Sequence, residues 1–366
     1  MVTISLVMIT KNEEKSLETC LNSVKDLVDE INIVNTGSTD KTKEIARKFT
    51  ERIFDFKWID DFAAARNEAF SKATGDFILW LDADDILLAA DQENFKHLKQ
   101  HLDPSVDAVS MFYNTGINER GEVTFSFRRN RLVNRKRGFR WYGRVHEYLA
   151  VGGKIITSSI SVTHRGKGHA DSNRNLKIYE KMISDGLSFT PRDLFYYANE
   201  CYDHGLHATA IDYYKKFLQT KKGWSEDCIN ACAKLATLYE DEGKQEQAIH
   251  YSLESFKYDI PRAEHCCRLG AIYLQNHELE KAIFWYKLAA GSDIDYAKSK
   301  GGFVEHSYYT WLPQVQLCVC YDQLKDYAKA KEHHEKAKAF DPQNSYVLYN
   351  EKYFNSIKGL KTASND

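Results

Sequence analysis

The chain has 366 residues, too many for one ordinary core and enough for two domains. Its charged fraction of 28% and hydrophobic fraction of 43% are ordinary for a globular protein, and a formal net charge of -2 gives no electrostatic reason to expect a nucleic-acid partner. No apolar run approaches the length of a membrane span, and the opening Met1-Val2-Thr3-Ile4-Ser5-Leu6-Val7-Met8-Ile9 lacks a basic segment and a small-residue cleavage site, so it reads as a buried strand and not as a signal peptide.

The first half alternates between two periodicities. Ile4–Ile9 is a short apolar run and predicts a strand. Glu14–Val24, with Leu17, Leu21 and Val24 on one face, predicts a helix. Glu30–Asn35 predicts a second strand, Asp40–Phe49 a helix, Arg52–Phe56 a short strand, Phe62–Ala73 an Ala-rich helix closed by Gly75, and Asp76–Leu81 a fourth strand. This alternation implies a mostly parallel sheet with helices on both faces. From Asp107 the pattern changes: Ala108–Tyr113, Val123–Leu132 and Ile155–Thr163 read as strands with little helix between them, extending or covering the sheet.

From about Asn173 the sequence reads as helical to its end, and it repeats. Ala210, Ala248, Ala282 and Ala330 occupy one shared context. Twelve residues before them stand the small residues Ala198, Ala236, Gly270 and Cys318, and nine before the last three stand Tyr239, Tyr273 and Tyr321. The alanines are 38, 34 and 48 residues apart, close to the tetratricopeptide period of about 34, with the long last interval absorbed by an insertion around Gly291–His306. Gly205 and Gly243 fall where two helices of a pair turn, and Pro342 is expected to follow the last helix. The domain division is therefore 1–172, an α/β nucleotide-binding domain, and 173–366, an all-α repeat domain. The eight cysteines contain no C-x-x-C pair, and most sit at helical positions among apolar residues, so they are expected to be buried reduced thiols. Together these features point to the cytoplasm.

Three segments carry chemistry. In Ile33-Val34-Asn35-Thr36-Gly37-Ser38-Thr39-Asp40 a strand ends, a glycine turns the chain, and Ser38, Thr39 or Asp40 can cap a helix. In an open α/β sheet such a loop lines the ligand site. Leu79-Trp80-Leu81-Asp82-Ala83-Asp84-Asp85 runs a hydrophobic strand into three carboxylates, whose mutual repulsion calls for a cation. Oxygen ligands of this kind suit Mg²⁺ or Mn²⁺ bridging a diphosphate. Arg66, early in the Ala-rich helix, could set a planar cationic fork against a phosphate or ribose. Each has a plain structural alternative: a well-capped turn, an acidic surface turn and an exposed helix arginine.

Taken together, the N-terminal half resembles glycosyltransferase family 2, with the GT-A fold. The matching residues are Met8-Ile9-Thr10-Lys11-Asn12-Glu13-Glu14, Cys20-Leu21-Asn22-Ser23-Val24, Asn35-Thr36-Gly37-Ser38-Thr39-Asp40, Asp61-Phe62 with Ala65-Arg66-Asn67, and Trp80-Leu81-Asp82-Ala83-Asp84, over roughly residues 1–170. The resemblance implies that Thr10, Asn12, Glu13, Asn35, Asp40, Arg66 and Asp82 hold a nucleotide-sugar, and that Asp84 binds the metal beside the diphosphate. The family usually has Asp where this chain has Asn35, at a position that reads the base. Asn offers the same acceptor and adds a donor.

Gly143-Arg144-Val145-His146-Glu147 resembles a G-x-V-H-E element of bacterial family members, including repeat-bearing S-glycosyltransferases of glycopeptide bacteriocins. Inverting transfer needs a carboxylate to take the acceptor proton. Glu147 is the first candidate and Asp85 the second, with His146 orienting Glu147 or touching the acceptor. The alternative for Glu147 is a structural ion pair with Arg144 or Arg140. His164, ending a strand-like run, is expected to complete the metal shell, with His169 as the weaker choice. The basic run Arg128-Arg129-Asn130-Arg131 reads as a strand with solvated outward residues, one or two reaching the diphosphate.

The expectation is thus a metal-dependent glycosyltransferase moving a sugar from a nucleotide-sugar, a UDP-sugar first, to a peptide, protein or glycan acceptor. The repeats would dock the acceptor or make a homodimer. A catalytically silent scaffold and a nucleotidyltransferase are the competing classes. The latter usually carries a Gly-rich loop after the first strand, where this chain has Thr10-Lys11-Asn12-Glu13.

Overall fold

A computed structural model describes residues 1–117, 123–166, 173–302 and 304–363. The chain divides into two compact units, 1–188 and 189–366. The division falls after, and not at, the expected boundary of 172/173: a helix that opens the helical half of the sequence belongs to the first unit.

The first unit contains β1 (Ile4–Thr10), α1 (Leu17–Val24), β2 (Glu30–Asn35), α2 (Thr42–Ala46), β3 (Ile53–Asp55), α3 (Phe62–Ser71), β4 (Phe77–Trp80), β5 (Asp85–Ile86), α4 (Ala89–His101), β6 (Ala108–Ile117), β7 (Val123–Asn134), β8 (Arg140–Tyr142), β9 (Tyr148–Ala150), β10 (Ile155–His164) and α5 (Arg174–Ser184). One sheet runs in the order β3-β2-β1-β4-β7-β6-β10-β5, and β8 and β9 form a separate antiparallel hairpin. The pairs β3/β2, β2/β1, β1/β4 and β6/β10 are parallel, whereas β4/β7, β7/β6 and β10/β5 are antiparallel.

Burial on both faces explains the continuous apolar strands. Along β1, Ile4, Leu6 and Met8 join a core with Leu17, Cys20, Leu21 and Val24 of α1, while Val7 joins a second core with Ala63, Ala69 and Phe70 of α3 and with Trp80 and Trp141. The period of two along the strand thus feeds two layers. Asp61 starts α3 by accepting the Ala64 N–H at 2.8 Å. Gly75 enters β4 so close to β1 that a β-carbon there would lie 2.9 Å from the Ser5 nitrogen. Helix α4 and the β8–β9 hairpin were not foreseen. Only Phe95 is buried along α4, so the helix carries almost no apolar stripe.

The second unit is helical: α6 (Pro191–Asp203), α7 (His207–Gln219), α8 (Ser225–Asp241), α9 (Gln245–Glu254), α10 (Ala263–Gln275), α11 (Leu279–Ala290), α12 (Ile294–Ser299), α13 (Trp311–Gln323), α14 (Tyr327–Phe340) and α15 (Ser345–Ala363). Ala210, Ala248, Ala282 and Ala330 lie on α7, α9, α11 and α14, all fully buried, and the small residues before them lie on the partner helices α6, α8, α10 and α13. At Gly270 a β-carbon would run into the Tyr286 ring at 2.8 Å, which explains the small residue there. The expected insertion contains α12.

Each helix pair turns through a left-handed residue five positions before its alanine: Gly205, Gly243, His277 and Lys325. In each, the next N–H reaches back to a carbonyl of the first helix, as in Leu206 to Cys201 at 2.8 Å and Asp326 to Tyr321 at 2.9 Å. Pro342 follows α14 but does not close the chain's helices, because α15 comes after it. All eight cysteines are free and buried. Among the described residues no helix is long and apolar enough to cross a membrane.

Candidate active site

The carboxyl ends of the parallel strands β1, β2 and β4 lie on one edge of the sheet, where open α/β sheets bind ligands. The loops after β1 and β2 are laced together there. The Thr10 carbonyl accepts the Thr36 N–H at 2.9 Å and its hydroxyl at 3.1 Å. Asn12, in a left-handed conformation with φ 57, accepts the Thr39 N–H on its side chain at 2.8 Å and donates its own N–H to Ser38. The Glu13 N–H meets the Thr42 hydroxyl at 2.7 Å, and its carboxylate accepts from Ser16. Asp40 accepts from Thr42 and from the Glu14 N–H.

Asn35 makes two different bonds here. Its oxygen accepts the Ser38 N–H at 3.0 Å and its amide donates to Asp55 at 2.8 Å. An aspartate at this position would set two carboxylates against each other, so Asn35 and Asp55 go together. Lys43 also pairs with Asp55, reaching both carboxylate oxygens at 2.9 Å.

A second group forms where β4 ends. The Arg66 guanidinium lies over the Trp80 and Trp141 rings, 5.4 and 4.9 Å from their centres. Its Nη2 is 2.8 Å from Asp82 and its Nε 2.6 Å from Glu147. Glu147 thus pairs with Arg66, and neither Arg144 nor Arg140 takes that role; Arg144 stands 4.0 Å from Asp61. Burial works to raise the Asp82 carboxyl, but the Arg66 and Arg131 guanidinia outweigh it and hold the group well below the usual carboxylate range. The hairpin that carries Glu147 is fixed to α3 by Asn67, which exchanges two hydrogen bonds with the Trp141 backbone at 3.0 and 2.9 Å. His146 adopts a left-handed backbone, and its ring stacks on Tyr179 of α5 at 6.4 Å.

A third group adjoins it. Oxygen and nitrogen atoms of Asp84, Asp85 and His164 all lie within 4.8 Å of one another, the one such cluster among the described residues. Strand β10 returns antiparallel to β5, setting His164 opposite Asp85. The His164 Nδ1 is 3.4 Å from each carboxylate. Those carboxylates push the imidazole up to about 10. His169, the weaker alternative, lies outside the described residues.

Asp85 is completely buried and committed. It pairs with Arg131 at 3.0 Å, also completely buried, accepts the Asp82 N–H at 3.1 Å, and accepts the Tyr113 hydroxyl at 3.0 Å. Arg131 is sandwiched by Trp80 and Tyr113 at 3.9 and 4.3 Å. The expectation of a solvated basic strand therefore fails at Arg131, which faces inward because a buried carboxylate waits for it. Alternation along β7 was the available signal; the partner was not visible. Tyr113, which also reaches His164 Nδ1 at 3.2 Å, carried no local signature at all.

The cluster suits a divalent cation on chemical grounds, since two carboxylates and an imidazole form a mixed O/N donor set. Gly166 packs directly against it: a β-carbon there would collide with Asp84 and lie 2.7 Å from His164 Nε2.

Known proteins resemble this chain in sequence over the sheet-bearing domain. Residues 5–160 match the family model for glycosyl transferase family 2. A TPR repeat-containing protein of Synechococcus elongatus is 27% identical, over 89% of this chain and 75% of its own. The SPbeta prophage-derived glycosyltransferase SunS of Bacillus subtilis is 30% identical, over 64% of this chain and 58% of its own length. Among solved structures, Staphylococcus aureus TarS 1-349 in complex with UDP-GlcNAc matches 70% of this chain and 91% of its own, with a TM-score of 0.40 and 14% identity. Residues 5–160, the sheet-bearing part of the chain, thus match glycosyl transferase family 2, and paired helices follow them in the same polypeptide.

Proposed function

We propose that the chain transfers a sugar from a nucleotide-sugar, a UDP-sugar first, to a peptide, protein or glycan acceptor by inverting single displacement. The observation that carries this reading is the adjacency of two groups at the sheet edge: the Asp84–Asp85–His164 cluster and the Arg66-linked pair of Asp82 and Glu147. Asp84 and His164 would hold Mn²⁺ or Mg²⁺, with Asp85 bracing them from behind. The cation supplies charge neutralisation to the departing diphosphate. The braced loops bearing Thr10, Asn12, Glu13, Asn35 and Asp40 would seat the nucleoside, and Asp82 the ribose.

Glu147 is the base in this account. Arg66 occupies one of its oxygens, which fixes the orientation of the carboxylate and leaves the other oxygen for the acceptor. As the acceptor atom bonds to the anomeric carbon, its proton passes to Glu147 and the bond to the diphosphate breaks with its electron pair. Asp85 has no such freedom, because Arg131, Tyr113 and the Asp82 N–H already surround it.

The test is a turnover assay over a panel of nucleotide-sugars with Mn²⁺, the product's anomeric configuration being read by NMR. Inverted product whose formation requires Glu147 supports the reading. A retained configuration removes the single displacement, and no turnover or hydrolysis of any donor favours a binding scaffold.

A further inference from the structure

Three helix faces of the second unit converge on an open cleft of about 420 Å³: the end of α11, one face of α13 and one face of α14. That volume is within the range of small-molecule sites. Its floor is aromatic and buried. Tyr321 and His333 stack with ring centres 5.5 Å apart and an interplanar angle of 4°. The His333 Nδ1 meets the Gln314 oxygen at 2.7 Å, and both residues are more than nine-tenths buried. Since that oxygen only accepts, Nδ1 carries the hydrogen, and the Gln314 amide N–H groups are left as donors.

The rim is basic. Lys287, Lys329 and Lys336 line the cleft against one acid, Glu332. Glu332 is engaged by Lys336 at 2.6 Å, and Lys329 is engaged by Asp326 at 2.7 Å. Lys287 has no carboxylate within ion-pair distance among the described residues; its ammonium stands 5.6 Å from the Tyr321 ring centre. Burial and the ammonium groups of Lys336 and Lys287 lower the His333 imidazole, so the ring adds no acceptor-seeking charge of its own at neutral pH.

We infer that this cleft binds an oxyanion, a carboxylate or phosphate carried on a larger molecule, with Lys287 as its anchoring cation, Gln314 as a neutral donor and the Tyr321–His333 stack as the surface for the attached stem. An unpaired ammonium beside uncommitted amide donors and a buried aromatic floor presents donors and almost no acceptors, which is the complement of such a group. The site lies wholly in the helical unit and does not rest on the transfer reading.

The test titrates the full chain with two probes, an end-blocked oligoglutamate peptide and inorganic phosphate, at low and at physiological salt. Wild type is expected to bind at least one, more weakly as salt rises. Lys287→Glu and Gln314→Leu should each weaken that binding roughly tenfold or more, while Lys298→Glu on α12 leaves it unchanged. Binding of the peptide alone assigns the oxyanion to acidic polypeptide, and binding of phosphate assigns it to a phosphorylated ligand. Binding of neither, or binding equal in wild type and Lys287→Glu, overturns the proposal. Helical circular dichroism of each variant separates loss of the site from loss of the fold.

Discussion

Arg66 and Glu147 are 81 residues apart in the chain and meet at 2.6 Å. The same guanidinium reaches Asp82 at 2.8 Å, so one side chain couples the end of β4 to the loop before β9. The contact joins two segments whose sequence motifs look independent. It also gives the pair a shared sensitivity, because both carboxylates depend on one cation.

Arg66→Ala is therefore expected to disturb both acids at once and to lower turnover about a hundredfold or more, the scale for misplacing a reacting group. Arg66→Lys should fall between, since a point charge cannot serve two carboxylates as a planar fork does. Steady-state kinetics of the two variants, beside their thermal melting, distinguishes positioning from unfolding. Equal activity of Arg66→Ala and wild type would remove the coupling from the mechanism.

Glu147→Gln preserves shape and can still contact Arg66 through its carbonyl oxygen. Donor affinity is expected to stay near wild type while transfer falls on the order of 10²–10⁴-fold, the usual contribution of a positioned base. A variant that transfers normally would move the base elsewhere.

Asp85→Ala tests the opposite assignment. It leaves Arg131 as a wholly buried unpaired cation, and breaking such a pair costs about 3–5 kcal/mol. Chemical denaturation should show this loss in the first unit. A variant as stable as wild type but inactive would mean that Asp85 acts directly in the chemistry.

Gly166→Ala places a methyl group against Asp84 and His164. Mn²⁺ affinity is expected to fall roughly ten- to a hundredfold, as it does when the surroundings of metal ligands are altered. Calorimetric titration of Mn²⁺ into the variant measures it. Unchanged affinity would place the ion away from this cluster.

The helical unit carries its own pH dependence. His265 is almost wholly buried, and burial lowers its imidazole to about 4 from 6.5. A lowered imidazole binds its proton more readily when unfolded, so it costs stability as pH falls below 6.5, with the loss complete near 4. By pH 5 the loss amounts to about 2 kcal/mol. Denaturation of the helical unit at pH 7 and pH 5 should show a larger difference in wild type than in His265→Gln.

The parts of this molecule that were legible in the sequence are those set by local pattern. The apolar run of Leu79–Leu81 into Asp82 and Asp84 marked a strand end bearing carboxylates, and alanines in one shared context, 38, 34 and 48 residues apart, marked the helix pairs. Long-range register was not legible. That Arg131 pairs with Asp85 follows from β7 lying antiparallel beside β4, with Leu79 opposite Leu132. Arg66 finds Glu147 only because Asn67 clamps the hairpin to α3. His277 and Lys325 hide the helix turns that Gly205 and Gly243 announce, since both adopt the left-handed conformation without being glycine.

The most direct test of the central claim is calorimetric titration of UDP into the full chain, with and without Mn²⁺, for wild type and Asp84→Ala. The account predicts Mn²⁺-dependent binding of UDP to wild type and its loss in Asp84→Ala, with the variant's fold intact. Metal-independent binding, or no binding by wild type to UDP or any other nucleoside diphosphate, would contradict it.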